Sequence, residues 1–227
     1  MTAPKHAFLI GLFLVITGVW CAGAEAGASP ALMKAKQCGA CHRFSQDQKE
    51  RSAPDLFFAG DKFQKKWLEN FLQQPETIRL AGHTRDPGFL KGKPETPGPH
   101  PALNPREAKQ MADHLMSLKT LDKNPPLDLP ALSKGARVRV KILFERDYSC
   151  IACHQSYNLA RQPRGGVSGP SLIDAGRRLR PEWVYQWLKN PGKFVTRGRM
   201  PKYAFDEETL KKMTQYIMSH QKDNPKP

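Results

Sequence analysis

The sequence predicts a mostly α-helical protein built from two copies of one small module with long loops. Three observations predict it. No segment shows sustained strand alternation. The 227 residues suit two units of about 100 residues, the commonest domain size. The two halves also repeat each other. Cys38-Gly39-Ala40-Cys41-His42 returns as Cys150-Ile151-Ala152-Cys153-His154, and Pro54, Trp67 and Pro75 return at the same mutual spacing as Pro170, Trp183 and Pro191. Between them, Ala53-Pro54-Asp55-Leu56 matches Gly169-Pro170-Ser171-Leu172, and Ala59-Gly60 matches Ala175-Gly176.

The elements follow in order. Residues 1–24 read as a signal peptide: Lys5, an uncharged run from Ala7 to Trp20, and the small residues around Ala22-Gly23-Ala24 that a signal peptidase accepts, with cleavage after Ala24. An uncleaved anchor is the alternative, because Ala7 to Ala24 gives 18 uncharged residues and about 17 can span a bilayer. Cys21 follows Trp20, not a small residue, so a lipoprotein cysteine is not indicated and Cys21 leaves with the signal. Domain 1 covers 25–121, with a helix from Ala31 into Cys41, a middle helix Asp61 to Leu72 and a last helix Arg106 to Leu118. That last helix has a strong start in Asn104-Pro105-Arg106-Glu107, which combines a capping side chain, proline at the first position and glutamate at the third. A Pro-rich linker covers 122–133, where prolines and charges favour extended chain. Domain 2 covers 134–227, with helices from Lys134 into Cys150, Pro181 to Leu188, and Glu207 to Ser219 behind the capping Asp206. Met111, Met116, Met213 and Met218 fall at matching places in the two last helices and read as core. His114 and His220 read as solvent-facing.

Composition sets limits. Hydrophobic residues are 39% of the chain, with 20 Pro and 17 Gly, and the mean hydropathy is -0.58. A module this small buries little apolar surface, so something besides side chains completes each core. The formal charge is +15, of which residues 1–24 supply only Lys5, and the excess sits in the second half. Such a surface favours an acidic partner. Nucleic acid is excluded as a partner by the lack of a basic helix or aromatic-interleaved binding motif.

Cys-x-x-Cys-His identifies what fills the cores. Two cysteines three apart lie close together on one helical turn, where both thiols reach the vinyl groups on one edge of a porphyrin. The next residue, histidine, reaches the iron. The pattern therefore reads as covalent c-type haem attachment by Cys38, Cys41, Cys150 and Cys153, with His42 and His154 as proximal ligands. A four-cysteine zinc site spaces its pairs about 15–20 residues apart, whereas 108 residues separate Cys41 from Cys150. A disulfide or redox pair requires no histidine after its second cysteine. Export, read from the N-terminus, fits haem attachment outside the cytoplasm.

On these residues the chain resembles a class I c-type cytochrome, duplicated as in the tandem dihaem cytochromes, over nearly all of the mature sequence. The resemblance implies that each domain is a small helical fold around a covalently bound haem. It also implies that the carbonyl of Pro170, in Gly169-Pro170-Ser171-Leu172, accepts a hydrogen bond from the proximal histidine, and that Pro54 does the same with Ala53 in place of glycine. Trp67 and Trp183 fall where the family places an aromatic against a haem propionate; core packing is the other reading. The family's distal ligand lies in the loop before the last helix, commonly as Met-Pro, which implies Met200 of Met200-Pro201 as sixth ligand of haem 2. Methionine raises the potential relative to a second histidine.

Domain 1 departs from that pattern. It has no methionine between Cys41 and Met111, and it carries about 14 extra residues before its last helix. His100-Pro101 precedes Asn104 much as Met200-Pro201 precedes Asp206, so His100 is the first choice for the distal ligand of haem 1. His83 is the alternative by ungapped counting from Pro75, and an open iron is a third arrangement.

The function expected is electron relay from a lower-potential haem 1 to haem 2 and on to an acidic redox protein such as an oxidase, a reductase or another cytochrome. Two alternatives stand. A dihaem enzyme would need an open haem, as in peroxidases, or a cysteine ligand, as in thiosulfate dehydrogenases, and all four mature cysteines are committed to haem. A cytochrome subunit of a membrane-bound respiratory complex would use the loop from His83 to Pro99 for docking and could keep the N-terminal anchor.

Overall fold

The structure is a computed structural model that describes residues 28–49, 52–81, 100–121, 126–158, 160–195 and 198–221. The signal segment 1–24 and His83 lie outside the described residues. The chain is mainly helical: α1 (Ala28–Ala35), α2 (Ala59–Lys62), α3 (Lys65–Gln73), α4 (Pro105–Ser117), α5 (Lys134–Ile142), α6 (Ala175–Arg178), α7 (Pro181–Lys189) and α8 (Glu207–Met218). Two-residue strands β1 (Ser156–Tyr157) and β2 (Pro163–Arg164) pair antiparallel. Among the described residues no helix is long and apolar enough to cross a membrane.

The last helix of each half carries the core. Ala108, Met111, Ala112 and Leu115 of α4 are buried, as are Leu210, Met213, Thr214 and Ile217 of α8. Both sets follow the i, i+3, i+4, i+7 stripe of a helix with one buried face. The N-termini are fixed as the sequence indicates. Asn104 Oδ1 accepts the Glu107 N–H at 2.9 Å while Glu107 Oε2 accepts the Asn104 N–H at 3.2 Å, and Asp206 Oδ1 accepts the Thr209 N–H at 2.7 Å.

Several elements differ from the sequence expectation. The helices leading into the two motifs stop early, at Ala35 and Ile142. A π turn, Leu143–Asp147, follows α5, and each motif begins a separate 3-10 turn, Cys38–Ala40 or Cys150–Ala152. The expected helix Asp61 to Leu72 is broken. Phe63 and Gln64 are extended between α2 and α3, because those two residues are used to join the halves. Phe63 forms an antiparallel bridge with Leu179; the Gln64 N–H donates to Arg178 O and the Arg180 N–H to Lys62 O, both at 2.9 Å. Lys62, Phe63 and Gln64 are the repeat equivalents of Arg178, Leu179 and Arg180, so the seam is a self-complementary contact of the isologous kind. One hydrophobic cluster runs through both halves, from Leu72 and Met111 to Val184 and Met213.

His220 is a further correction. It is buried at 6% exposure, with Nε2 2.8 Å from Ser156 Oγ and Nδ1 2.9 Å from Tyr216 O. Ser156 belongs to the hairpin that domain 2 has inserted between its motif and Pro170, which covers the end of α8.

Glycine is required at two equivalent places. A Cβ on Gly60 would stand 2.2 Å from Met116 O, and one on Gly176 1.9 Å from Met218 O. Here α2 and α6 press their backbones on the ends of α4 and α8, with Gly60 N–H to Leu118 O at 2.8 Å and Gly176 N–H to His220 O at 2.9 Å. Gly60→Ala is expected to destabilise by about 1–3 kcal/mol through overpacking. Gly135→Ala, on α5 where a Cβ meets only Arg139 Nη1 at 3.7 Å, is expected to be neutral or slightly stabilising. Thermal unfolding of both variants checks the contrast.

Candidate haem sites

Each motif is entered through one backbone kink. Gln37 (φ 53, ψ 32) and Ser149 (φ 51, ψ 28) are left-handed non-glycine residues immediately before the first cysteine, a conformation that costs about 1–2 kcal/mol. The same strain in both halves ends the preceding chain direction and opens a 3-10 turn, closed by the His42 N–H to Cys38 O and the His154 N–H to Cys150 O, each 3.0 Å. Cys38, Cys41, Cys150 and Cys153 are all outside disulfides. Burial pushes the Cys38 thiol up and the Cys150 thiol to about 11. A redox dithiol works with a lowered thiol pKa, and burial moves Cys38 and Cys150 the other way. Among the described residues no group of three or more His, Cys, Asp or Glu stands together as a metal-holding cluster.

The histidines are held alike. His42 Nδ1 lies 2.7 Å from Pro54 O and His154 Nδ1 lies 2.8 Å from Pro170 O. A carbonyl can only accept, so each Nδ1 donates and each Nε2 keeps its lone pair. Burial lowers both histidine pKa values, partly opposed by the proline carbonyls. The result is a neutral imidazole with a fixed tautomer, the form that ligates a metal.

Opposite His42 stands His100. Their ring centroids are 6.1 Å apart with the planes at 57°. A ligating imidazole nitrogen sits about 2 Å from its metal, so two rings on opposite sides of one iron have centroids about 6 Å apart. His100 Nδ1 is 3.0 Å from Pro101 O, which likewise leaves its Nε2 available. In domain 2, Met200 packs half-buried against the core, and its Sδ accepts the Trp187 Nε1–H at 2.8 Å. His100 in turn meets the Phe71 ring at 5.5 Å. Phe71 and Trp187 are repeat equivalents. The same position of α3 and of α7 thus touches His100 in one half and Met200 in the other.

Trp67 and Trp183 are both buried. Trp67 stacks between Phe63 and Phe71 at 5.3 and 4.9 Å, with the Arg178 guanidinium 6.0 Å from its ring. Trp183 lies 4.7 Å from Phe58 and 4.4 Å from Phe194, with the Lys62 ammonium 6.0 Å from its ring. Each tryptophan therefore carries a cation from the other domain.

The residues present fit two haems. Each half offers two unpaired thiols, an oriented imidazole with a free Nε2, and aromatic walls. The cation cluster at the seam, including an Arg79 Nη1 that is buried without a hydrogen-bond partner, suits a group that brings carboxylates. The family model for cytochrome c matches residues 26–119. The model for cytochrome C oxidase, cbb3-type, subunit III, matches residues 137–217. The chain belongs to the c-type cytochromes. This cytochrome has two tandem domains, binds two covalent c-type haems, one in each domain, and is a dihaem electron-transfer protein. Searches of curated proteins and of solved structures return no match.

Sequence reasoning missed Phe71, Trp187, Lys62, Arg79 and Arg178. Phe71 and Trp187 could have been found, since they stand at equal distances after Trp67 and Trp183. The cations could not, because nothing local marks a charge that reaches the other domain.

Packing of the cytochrome is tight beside the ring of its second proximal histidine. A Cβ on Gly169 would lie 2.6 Å from His154 Cε1 and 2.7 Å from Nδ1, whereas the equivalent residue in domain 1 is Ala53. Gly169→Ala is expected to tilt the His154 ring, cost about 1–3 kcal/mol and change the absorption spectrum of one haem only. Visible spectroscopy with thermal unfolding checks this, and an unchanged spectrum contradicts it.

Proposed function

We propose that this cytochrome is an exported, periplasmic two-centre relay whose haem 1 is ligated by His42 and His100 and whose haem 2 is ligated by His154 and Met200. The observation that carries the reading is the 6.1 Å separation of the His42 and His100 rings, which is the spacing of two imidazoles on one metal. Equivalent contacts of Phe71 with His100 and of Trp187 with Met200 support the pairing. The haems supply two one-electron centres, and histidine in place of methionine gives haem 1 the lower potential. The side chains do the rest. Pro54 and Pro170 hold the proximal imidazoles in the tautomer that ligates, and the Trp187 N–H, by drawing electron density from the Met200 sulfur, tunes the other side.

The relay direction, from domain 1 to domain 2, ends at the half that carries 20 of the 36 basic residues. An acidic redox partner, such as an oxidase, a reductase or another cytochrome, docks there briefly through a small contact, since redox encounters sit at the low end of interface size. A second reading is favoured by one observation. Domain 2 matches a family described as an oxidase subunit, so the same relay could serve as a cytochrome subunit of a membrane-bound complex, held by an uncleaved segment 1–24.

Two measurements test these points. His100→Met is expected to raise the potential of one haem by on the order of 0.1 V, a small part of the ~0.8 V that axial ligands span. His83→Met is expected to move neither, and equal responses at both positions contradict the ligand assignment. Mass spectrometry of protein produced in an exporting host is expected to find a chain that begins at Glu25 with two haems attached. Retention of Met1 to Ala24 in a washed membrane fraction would support the anchored subunit instead.

A further inference from the structure

The seam between the domains gathers the cations Lys62, Arg79 and Arg178, with Asp55 near enough to act on Lys62 and Glu76 on Arg178. Arg178 has Asp174 at 3.3 Å and donates to Ser171 O at 2.6 Å. Among the described residues, Lys62 and Arg79 have no carboxylate at ion-pair distance; Lys62 lies instead over the rings of Phe63, Phe58 and Trp183. Burial brings the Lys62 ammonium down to about 7, with the Arg178 and Arg79 charges adding to the effect, and burial alone brings Arg79 to about 10. A buried charge without a partner of opposite sign is strongly unfavourable. A guanidinium held in such a place needs an anion.

The location of Arg79 identifies which anion. Arg79 belongs to domain 1 by sequence, but the strand of chain that bears it lies on domain 2. Ile78 O accepts the Ser171 N–H at 2.8 Å, and the Ala81 N–H donates to Val167 O at 3.3 Å. Ser171 directly follows Pro170, whose carbonyl fixes His154. Arg79 is thus flanked by two residues that bond the 167–171 segment, the segment that carries Pro170 and so positions His154. The repeat equivalent of Arg79 is Val195, so the charge is not duplicated at that position of domain 2.

We propose that Arg79 is a cross-domain counter-ion for a carboxylate of haem 2, a positioning residue by which domain 1 sets the potential of the haem in domain 2. The inference rests on haem 2 occupying the His154 site; it uses Met200 only as a label. A fixed positive charge beside a haem favours the reduced state, so Arg79 holds the potential of haem 2 up and steepens the drop from haem 1 to haem 2. It also gives a partner to the buried Arg79 Nη1.

The test uses the full dihaem protein and spectroelectrochemical titration of both haems. Haem 2 is identified as the one whose potential falls in Met200→His. Arg79→Gln is expected to lower the haem 2 potential and leave haem 1 unmoved, and Arg79→Lys to restore most of the shift; a role in packing alone would not distinguish lysine from glutamine by potential. If Arg79→Gln does not accumulate, Arg79→Leu removes the charge without burying a new polar group and carries the same expectation. Unmoved potentials in the neutral variants, or a shift confined to haem 1, would overturn the proposal. If Met200→His moves neither haem, the methionine ligand alone is contradicted; haem 2 is then identified as the one whose spectrum changes in Gly169→Ala, which crowds the His154 ring, and the Arg79 variants are judged against it.

Discussion

In each half of the molecule a proline carbonyl accepts a hydrogen bond from the Nδ1–H of the histidine that follows the second cysteine, and the rest of the domain is arranged to make that bond. The left-handed residue before the motif turns the chain, the 3-10 turn brings histidine next to the cysteines, and the Pro54 or Pro170 segment returns to meet it. Supporting bonds recur in step: the Ala53 N–H donates to Cys41 O at 3.0 Å and the Gly169 N–H to Cys153 O at 2.7 Å. A small domain with little apolar surface gains its core by fixing a prosthetic group, and the group is fixed through one oriented imidazole.

The second constraint is the seam. Because equivalent backbone groups of Lys62 to Gln64 and Arg178 to Arg180 bond each other, the two modules meet through the same surface twice, as two subunits of a symmetric dimer would. Symmetry ends at the side chains. Phe58 of domain 1 packs on Trp183, while its equivalent, Asp174, pairs with Arg178. The backbone thus preserves a duplication, and the side chains have made the two haem environments unequal.

The sequence made much of this legible. The motifs, their repetition and the capped last helices come from local rules, and Met111 and Met213 are core as expected, at 2% and 0% exposure. His100 was legible only by position before a capped helix, and the structure brings its ring to His42. What stayed hidden depends on partners remote in sequence. The break at Phe63 and Gln64 serves a strand pairing with residues 116 positions away. His220 is buried because a hairpin inserted in domain 2 covers it, and the single sequence carries no mark of that. Arg79 reads as a loop charge until the chain around it is seen lying on Val167 and Ser171.

The central claim is that one protein holds two unlike irons, one between two histidines and one between histidine and methionine. A spectroscopic redox titration of the mature protein tests it most directly, including the weak methionine-to-iron charge-transfer band near the red end of the oxidised spectrum. The account predicts two separated low-spin steps, with that band belonging only to the step of higher potential. A high-spin haem that readily binds cyanide or peroxide, or a methionine band on both steps, would contradict it.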